Sequence, residues 1–297
     1  MSDIKLFRID KVGVAELKSQ SVAVEKSLQN QIERNLEAFL GIRFLATEYP
    51  TGKKHSGRID TLGIDENGCP VIIEYKRATN ENVINQGLFY LDWLMDHKGE
   101  FKLLAMQRIG NRVEIDWSSP RLLCIAGDYT KYDEYAVQQI NRNIELIRYR
   151  RFGSELILLE LVNSTSGPPE GGTSGGETKY KTVGQALKQA DENLVDVFEA
   201  LKAHVLALGD DIQVKELKYY FAFKRLKNFV CVEVSPAKGE LAVYVKVDPK
   251  TVKLKDGFTK DVSKIGHFGT GDLRIALKEM ADLEKAKPLL LQSYEAS

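Results

Sequence analysis

The sequence predicts an α/β fold, a mixed sheet flanked by helices, followed by a smaller α+β domain. Three observations point there. Short runs rich in Ile, Val and Leu alternate with segments whose apolar residues recur every three or four positions, the strand and helix periods. The 297 residues suffice for two domains at about 150 residues each. Ser164–Glu177, STSGPPEGGTSGGE, holds no apolar side chain larger than a proline ring, so it cannot bury anything and reads as a flexible linker. The expected layout is a domain over 1–163, the linker 164–177 and a domain over 178–297.

The first half begins with a strand-like Ile4–Ile9. A helix is expected over Val24–Leu40, where Val24, Leu28, Ile32, Leu36 and Phe39 mark one face and Gly41 ends it. Ile42–Tyr49 reads as a strand. Arg58–Ile64 and Val71–Lys76 read as two strands joined by Asp65-Glu66-Asn67-Gly68, a run of turn formers. Asn82–His97 is helical, with Val83, Leu88, Leu91 and Leu94 inside. The apolar runs Phe101–Met106 and Arg121–Ile125 are expected as strands, Tyr132–Ile140 as a helix, and Ile144–Arg150 with Leu156–Val162 as a strand pair around Gly153. In the second half Val183, Leu187, Leu194, Val197, Phe198 and Leu201 mark a helical face. Strands are expected over Tyr219–Phe223, Phe229–Val234 and Leu241–Val247, then a helix over Asp272–Leu283 and a short terminal one.

Composition excludes several classes. With 43% hydrophobic and 28% charged residues the chain is ordinary for a globular protein, neither disordered nor collagen-like. No apolar run approaches the roughly 18–20 residues of a membrane helix, and MSDIKLFRID is no secretory leader, so a cytoplasmic protein without membrane association is expected. Lys+Arg and Asp+Glu both number 42, which excludes a globally basic nucleic-acid coat but not a local basic groove. Cys69, Cys124 and Cys231 lack zinc-ligand spacing and read as buried thiols.

The informative stretch is Gly57-Arg58-Ile59-Asp60, then Ile72-Ile73-Glu74-Tyr75-Lys76. A strand alternates faces, so Glu74 and Lys76 share one face and Tyr75 points away. Val71-Ile72-Ile73 is wholly apolar, as in a strand buried on both faces; charges at its end are costly unless paired or bound to an ion. A turn at Glu66-Asn67 is expected to leave Asp60 near Cys69–Val71, with a bulge or longer loop needed to bring it opposite Ile73 or Glu74. Two carboxylates and a lysine in this pattern suit phosphodiester hydrolysis around a hard divalent cation such as magnesium or manganese.

An acidic residue, a hairpin and then Glu-x-Lys resemble the PD-(D/E)XK nuclease superfamily, and most closely its NucS-like endonuclease branch. That branch carries a GRID-like strand, an apolar strand ending in Glu-x-Lys, and a helix with Gln and Tyr, here Gln86 and Tyr90. Ile59 stands where the superfamily's name has proline. The resemblance covers roughly residues 20–163. It implies a restriction-endonuclease-like sheet and a magnesium- or manganese-dependent endonuclease acting on nucleic acid, DNA rather than RNA, in repair or defence. Asp60 and Glu74 would then be metal ligands, Tyr75 would offer its carbonyl, and Lys76 would be the catalytic lysine. Glu33 would be an outer ligand, and Gln86 would orient Lys76 or the phosphate. Lys53, Lys54, Arg58, Arg77 and Tyr90 would contact the nucleic acid. A non-cleaving module of the same fold, binding nucleic acid or a protein partner, is the alternative, and a homodimer stays open. The second half resembles a domain of unknown function appended to such nucleases, in proteins sometimes labelled predicted transport proteins.

Other motifs admit two readings. Arg148-Tyr149-Arg150-Arg151 is either a basic groove element or a solvated strand end. Gly266–Asp272 is either an anion-binding loop or a cap before the expected helix. Tyr219, Tyr220, Phe221 and Phe223 are either base-stacking groups or core.

Overall fold

The computed structural model describes residues 4–11, 13–20, 25–52, 56–76, 83–111, 113–153, 155–167 and 182–297. It divides into two compact units, Met1–Gly172 and Thr173–Ser297. Most of the expected linker lies outside the described residues.

The first unit opens with a separate hairpin, β1 (Leu6–Asp10) and β2 (Gly13–Leu17). The expected first helix is two, α1 (Glu25–Arg34) and α2 (Leu36–Leu40), broken at Asn35. Gly41 ends α2 with φ 65°, the left-handed conformation that glycine adopts without cost. The main sheet runs β3 (Ser19–Gln20), β8 (Asn143–Phe152), β7 (Arg121–Ala126), β6 (Pro70–Lys76), β5 (Arg58–Asp65), β4 (Ile42–Pro50), with β9 (Leu156–Ser164) also on β8. The ladders β6–β7 and β7–β8 are parallel, and those of β4–β5, β5–β6 and β8–β9 are antiparallel. The sheet is therefore mixed. Every residue of β7, and all of β6 but Lys76, is buried, as parallel strands covered on both faces must be.

Helices α3 (Val83–Asp96) and α4 (Lys98–Ile109) link β6 to β7, and α5 (Lys131–Gln138) links β7 to β8. Leu62 and Ile72 pack with Leu91, Leu94, Phe101 and Val137, so α3–α5 cover the sheet face to which Leu62 and Ile72 point. Gly87 of α3 lies so close to Leu122 that a Cβ there would meet its side chain at 2.4 Å. Thr61, pointing to the other face, bonds Glu33 of α1; α1 thus lies on the opposite side.

One expected strand is a helix. Phe101–Met106 belongs to α4, where Phe101 and Ala105 are buried and Leu103 is 63% exposed. The segment has no β-branched residue, and its Leu, Ala, Met and Lys are strong helix formers.

The hairpin β5–β6 pairs Thr61↔Ile73, Leu62↔Ile72, Gly63↔Val71 and Ile64↔Pro70 without a bulge. Extended by one residue, this register carries Asp60 opposite Glu74, so no bulge or longer loop is required. The turn is locked by Asp65, whose Oδ1 accepts from the N–H groups of Asn67 and Cys69, both at 2.9 Å. Its Oδ2 accepts from Arg121 at 2.8 Å, and Arg121 also makes two 2.8 Å bonds to Glu145 of β8. All three side chains are buried.

The second unit is a six-stranded antiparallel sheet in the order β10 (Gln213–Glu216), β11 (Phe221–Lys224), β12 (Asn228–Ser235), β13 (Glu240–Val245), β15 (Leu273–Leu277), β14 (Thr259–Asp261). After α6 (Val183–Lys188), helices α7 (Glu192–Leu206) and α8 (Met280–Glu295) pack on one face through Leu201, Val205, Ala286 and Leu290. The expected helix over Asp272–Leu283 is instead β15 followed by the start of α8. Leu273, Ile275 and Leu277 alternate with Arg274 and Ala276, a period of two that fits a strand. The glycine-rich segment before it therefore caps no helix. Tyr220, Phe221 and Phe223 are buried, which favours their core reading.

The Asp65–Arg121–Glu145 triad gives a direct test. Arg121→Met leaves two buried carboxylates uncompensated and should cost about 3–5 kcal/mol. Both tryptophans, Trp93 and Trp117, lie in the first unit, so urea titration followed by tryptophan fluorescence reads that unit alone. An unchanged midpoint would overturn the assigned role.

Candidate active site

The β5–β6 ladder ends at Thr61↔Ile73, and beyond it two acidic side chains bridge the strands. The Asp60 N–H donates to Glu74 Oε1 at 3.2 Å, and the Tyr75 N–H donates to Asp60 Oδ2 at 3.0 Å. Each carboxylate thus holds the other's strand, and the two sit side by side on the face covered by α3. Glu74 is fully buried, Asp60 half-buried, and Lys76, on the same face by strand alternation, half-buried.

The electrostatics of the pair are unusual. Burial, reinforced by the neighbouring Asp60 charge, pushes the Glu74 carboxyl up to about 9. Burial raises Asp60 as well, against the Tyr75 N–H and the Lys76 charge, which lower it. Glu74 Oε2 is buried with no hydrogen-bond partner among the described residues. A buried acceptor without a donor is costly and marks a place where a partner belongs. Among the described residues no three or more of His, Cys, Asp and Glu gather into a metal-binding group.

The other expected site residues divide. Glu33 is not brought to the pair: its Oε1 accepts from Thr61 Oγ1 at 2.6 Å and Gln29 Nε2 at 3.0 Å, on the opposite sheet face. The Tyr75 side chain is buried, its hydroxyl 3.4 Å from Thr61 Oγ1. Gln86 Nε2 donates to the Tyr90 hydroxyl at 3.3 Å, and that hydroxyl also accepts from the Arg58 N–H at 3.2 Å. Tyr90 is 5% exposed, so it supports the strand before Asp60 rather than offering an open stacking face. Gly57 makes this approach feasible, since a Cβ there would lie 2.5 Å from the Tyr90 hydroxyl. Arg58 is exposed. Lys53, Lys54 and Arg77 lie outside the described residues. Of the basic cluster, Arg148 is buried between Asp128 (2.8 Å) and Glu160 (3.0 Å), with Tyr149 buried beside it; these two are structural.

Sequence reading missed Gln29 of α1. It is 3% exposed, and its Nε2 donates to the Asp60 carbonyl at 2.8 Å, which fixes the backbone that carries the acid. An amide on the apolar face of a helix, one residue after Leu28, is the signal that was available. Arg121 was missed too, although an arginine heading the apolar run Leu-Leu-Cys-Ile-Ala was visible.

Comparisons with known proteins add the following. Residues 183–297 match a family model described as a domain of unknown function, DUF5655. An uncharacterized protein of Haemophilus influenzae is 28% identical over 306 residues, covering 98% of this chain and 100% of the relative, so the match runs through both units. Among solved structures, a repair endonuclease from Pyrococcus abyssi is similar at a TM-score of 0.30 and 20% identity, over 46% of this chain; the match spans about half of that protein, 50%. Among the described residues no helix is long and apolar enough to cross a membrane.

The raised Glu74 carboxyl fixes a sign. Its folded-state value lies above the ordinary glutamate value of 4.5, so its contribution to stability is full below that value and is lost as pH rises towards about 9. Without added metal, the difference in stability between wild type and Glu74→Gln should turn against the wild type as pH rises through this window. Urea melts at a series of pH values measure it; a pH-independent difference would show that the carboxyl is not desolvated.

Proposed function

We propose that the first unit is a divalent-metal-dependent nuclease that hydrolyses phosphodiester bonds in DNA. The observation that supports this most is the Asp60–Glu74 pair, closed by reciprocal backbone bonds and left with one buried, unpartnered oxygen, Glu74 Oε2. The donor set fits magnesium or manganese, which take oxygen ligands and are held through one or two carboxylates with water completing the shell. Asp60 and Glu74 would hold the ion, with the Tyr75 carbonyl as a third protein oxygen. Such an ion supplies Lewis-acid polarisation of the phosphate and lowers the pKa of a bound water.

The residues of the chain then divide the work. The water oxygen forms a bond to phosphorus as the phosphorus–oxygen bond to the leaving sugar breaks, giving a phosphomonoester and an alcohol. Lys76 contributes positive charge two residues beyond Glu74 on the same face, where it orients the water or offsets charge developing on the phosphate. Tyr90, Gly57 and Gln86 keep the entry to β5 in place. Glu33 acts only through Gln29 and Thr61, which brace Asp60 from below. This position of Glu33 is what favours the second reading, a module of the same fold that binds nucleic acid without cutting it.

The test is cleavage of plasmid and labelled oligonucleotide DNA with magnesium or manganese. Asp60→Asn, Glu74→Gln and Lys76→Ala should each lower the rate by about 10²-fold or more, with folding intact by circular dichroism. Cleavage that survives all three changes would overturn the assignment. Binding without cleavage by the wild type on every substrate would favour the second reading.

A further inference from the structure

We infer that Lys26, Glu48 and Arg58 form a seat for one backbone phosphate of nucleic acid beside Asp60, occupied by the Glu48 carboxylate until substrate arrives. The inference rests on the nucleic-acid reading of the site and names the groups that would grip the strand there.

Three elements meet at this point. Lys26 comes from α1, Glu48 from β4 and Arg58 from β5. The pairs Thr47↔Thr61 and Tyr49↔Ile59 flank Glu48, so it lies across from Asp60. One carboxylate bridges two cations: Glu48 Oε1 is 2.7 Å from Lys26 Nζ, and Oε2 is 3.5 Å from Arg58 Nε. Two oxygens shared between two cations is also how a phosphodiester is held. Lys26 Nζ donates to Gln29 Oε1 at 3.1 Å, and Gln29 Nε2 bonds the Asp60 carbonyl. The seat is therefore tied to the backbone of the candidate metal site.

Stability does not explain the arrangement. Glu48 holds φ 49°, a left-handed conformation unfavourable for a residue with a Cβ. The side chains it joins are 48% and 69% exposed, and exposed ion pairs contribute little. Strain kept for a weak surface pair is characteristic of functional sites. The bend turns the Glu48 carboxylate towards Lys26, so that it closes over the cations instead of joining the Asp60–Glu74 pair.

The test is equilibrium binding of fluorescein-labelled single-stranded and duplex DNA in EDTA, where cleavage is silent, over a range of salt. Glu48→Gln removes the competing charge and should tighten binding about three- to tenfold. Lys26→Ala and Arg58→Ala should weaken it and reduce the log–log salt slope by about 0.7–0.9 each. Thermal midpoints close to wild type would confirm that folding is intact. Wild-type binding that none of the three changes alters, or weaker binding by Glu48→Gln, would overturn the seat while leaving the cleavage reading standing. A wild type that binds no DNA in EDTA would overturn the seat, whereas the cleavage reading stands or falls on the assay with magnesium or manganese.

Discussion

The arrangement depends first on the register of one hairpin. Asp60 and Glu74 face each other because β5 and β6 pair about Asn67 with no slip. A one-residue shift would send one of them to the opposite sheet face. The register is held from the far end, where Asp65 closes the turn with two backbone bonds and, through Arg121, reaches Glu145 three strands away. Arg121 presents a planar fork to two carboxylates, a role lysine cannot fill. Three buried charges thus set the spacing of β5, β7 and β8 at one end, and two carboxylates hold β5 and β6 at the other.

Much of this was legible in the sequence. β6 could be read because a strand buried on both faces must be apolar, so Glu74 and Lys76 stood out against Val71-Ile72-Ile73. The face they share followed from alternation alone. The register did not follow, because it depends on which turn residues leave the ladder, and four turn formers in a row leave that open. Phe101–Met106 misled because a short apolar run carries no period of its own. The outer strands β10 and β14 escaped notice because QVKE and TKD are short and largely polar, the usual composition of sheet edges.

The site was readable as a set of residue types but not as an assembly. Glu33 has the right type and the right place in the chain, yet α1 delivers it to the wrong side of β5, and Thr61 and Gln29 engage it. Tyr90 and Gln86 form a support under Arg58. Gln29, Glu48 and Lys26 act through contacts 18 to 31 residues apart in sequence, and periodicity within a single element is blind to contacts of that kind. The second unit contributes a sheet with helices on one face and a match to a family without assigned function.

The unpartnered Glu74 oxygen also bears on descent. Glutamine there would keep the bond from the Asp60 N–H and spare the core a buried carboxyl, so drift towards stability alone would favour the amide. Under the proposed chemistry, a lineage relieved of it should surrender this glutamate early while retaining Asp65 and Arg121, whose buried bonds serve the fold. The order in which the two acidic positions decay among relatives would therefore separate working copies from idle ones.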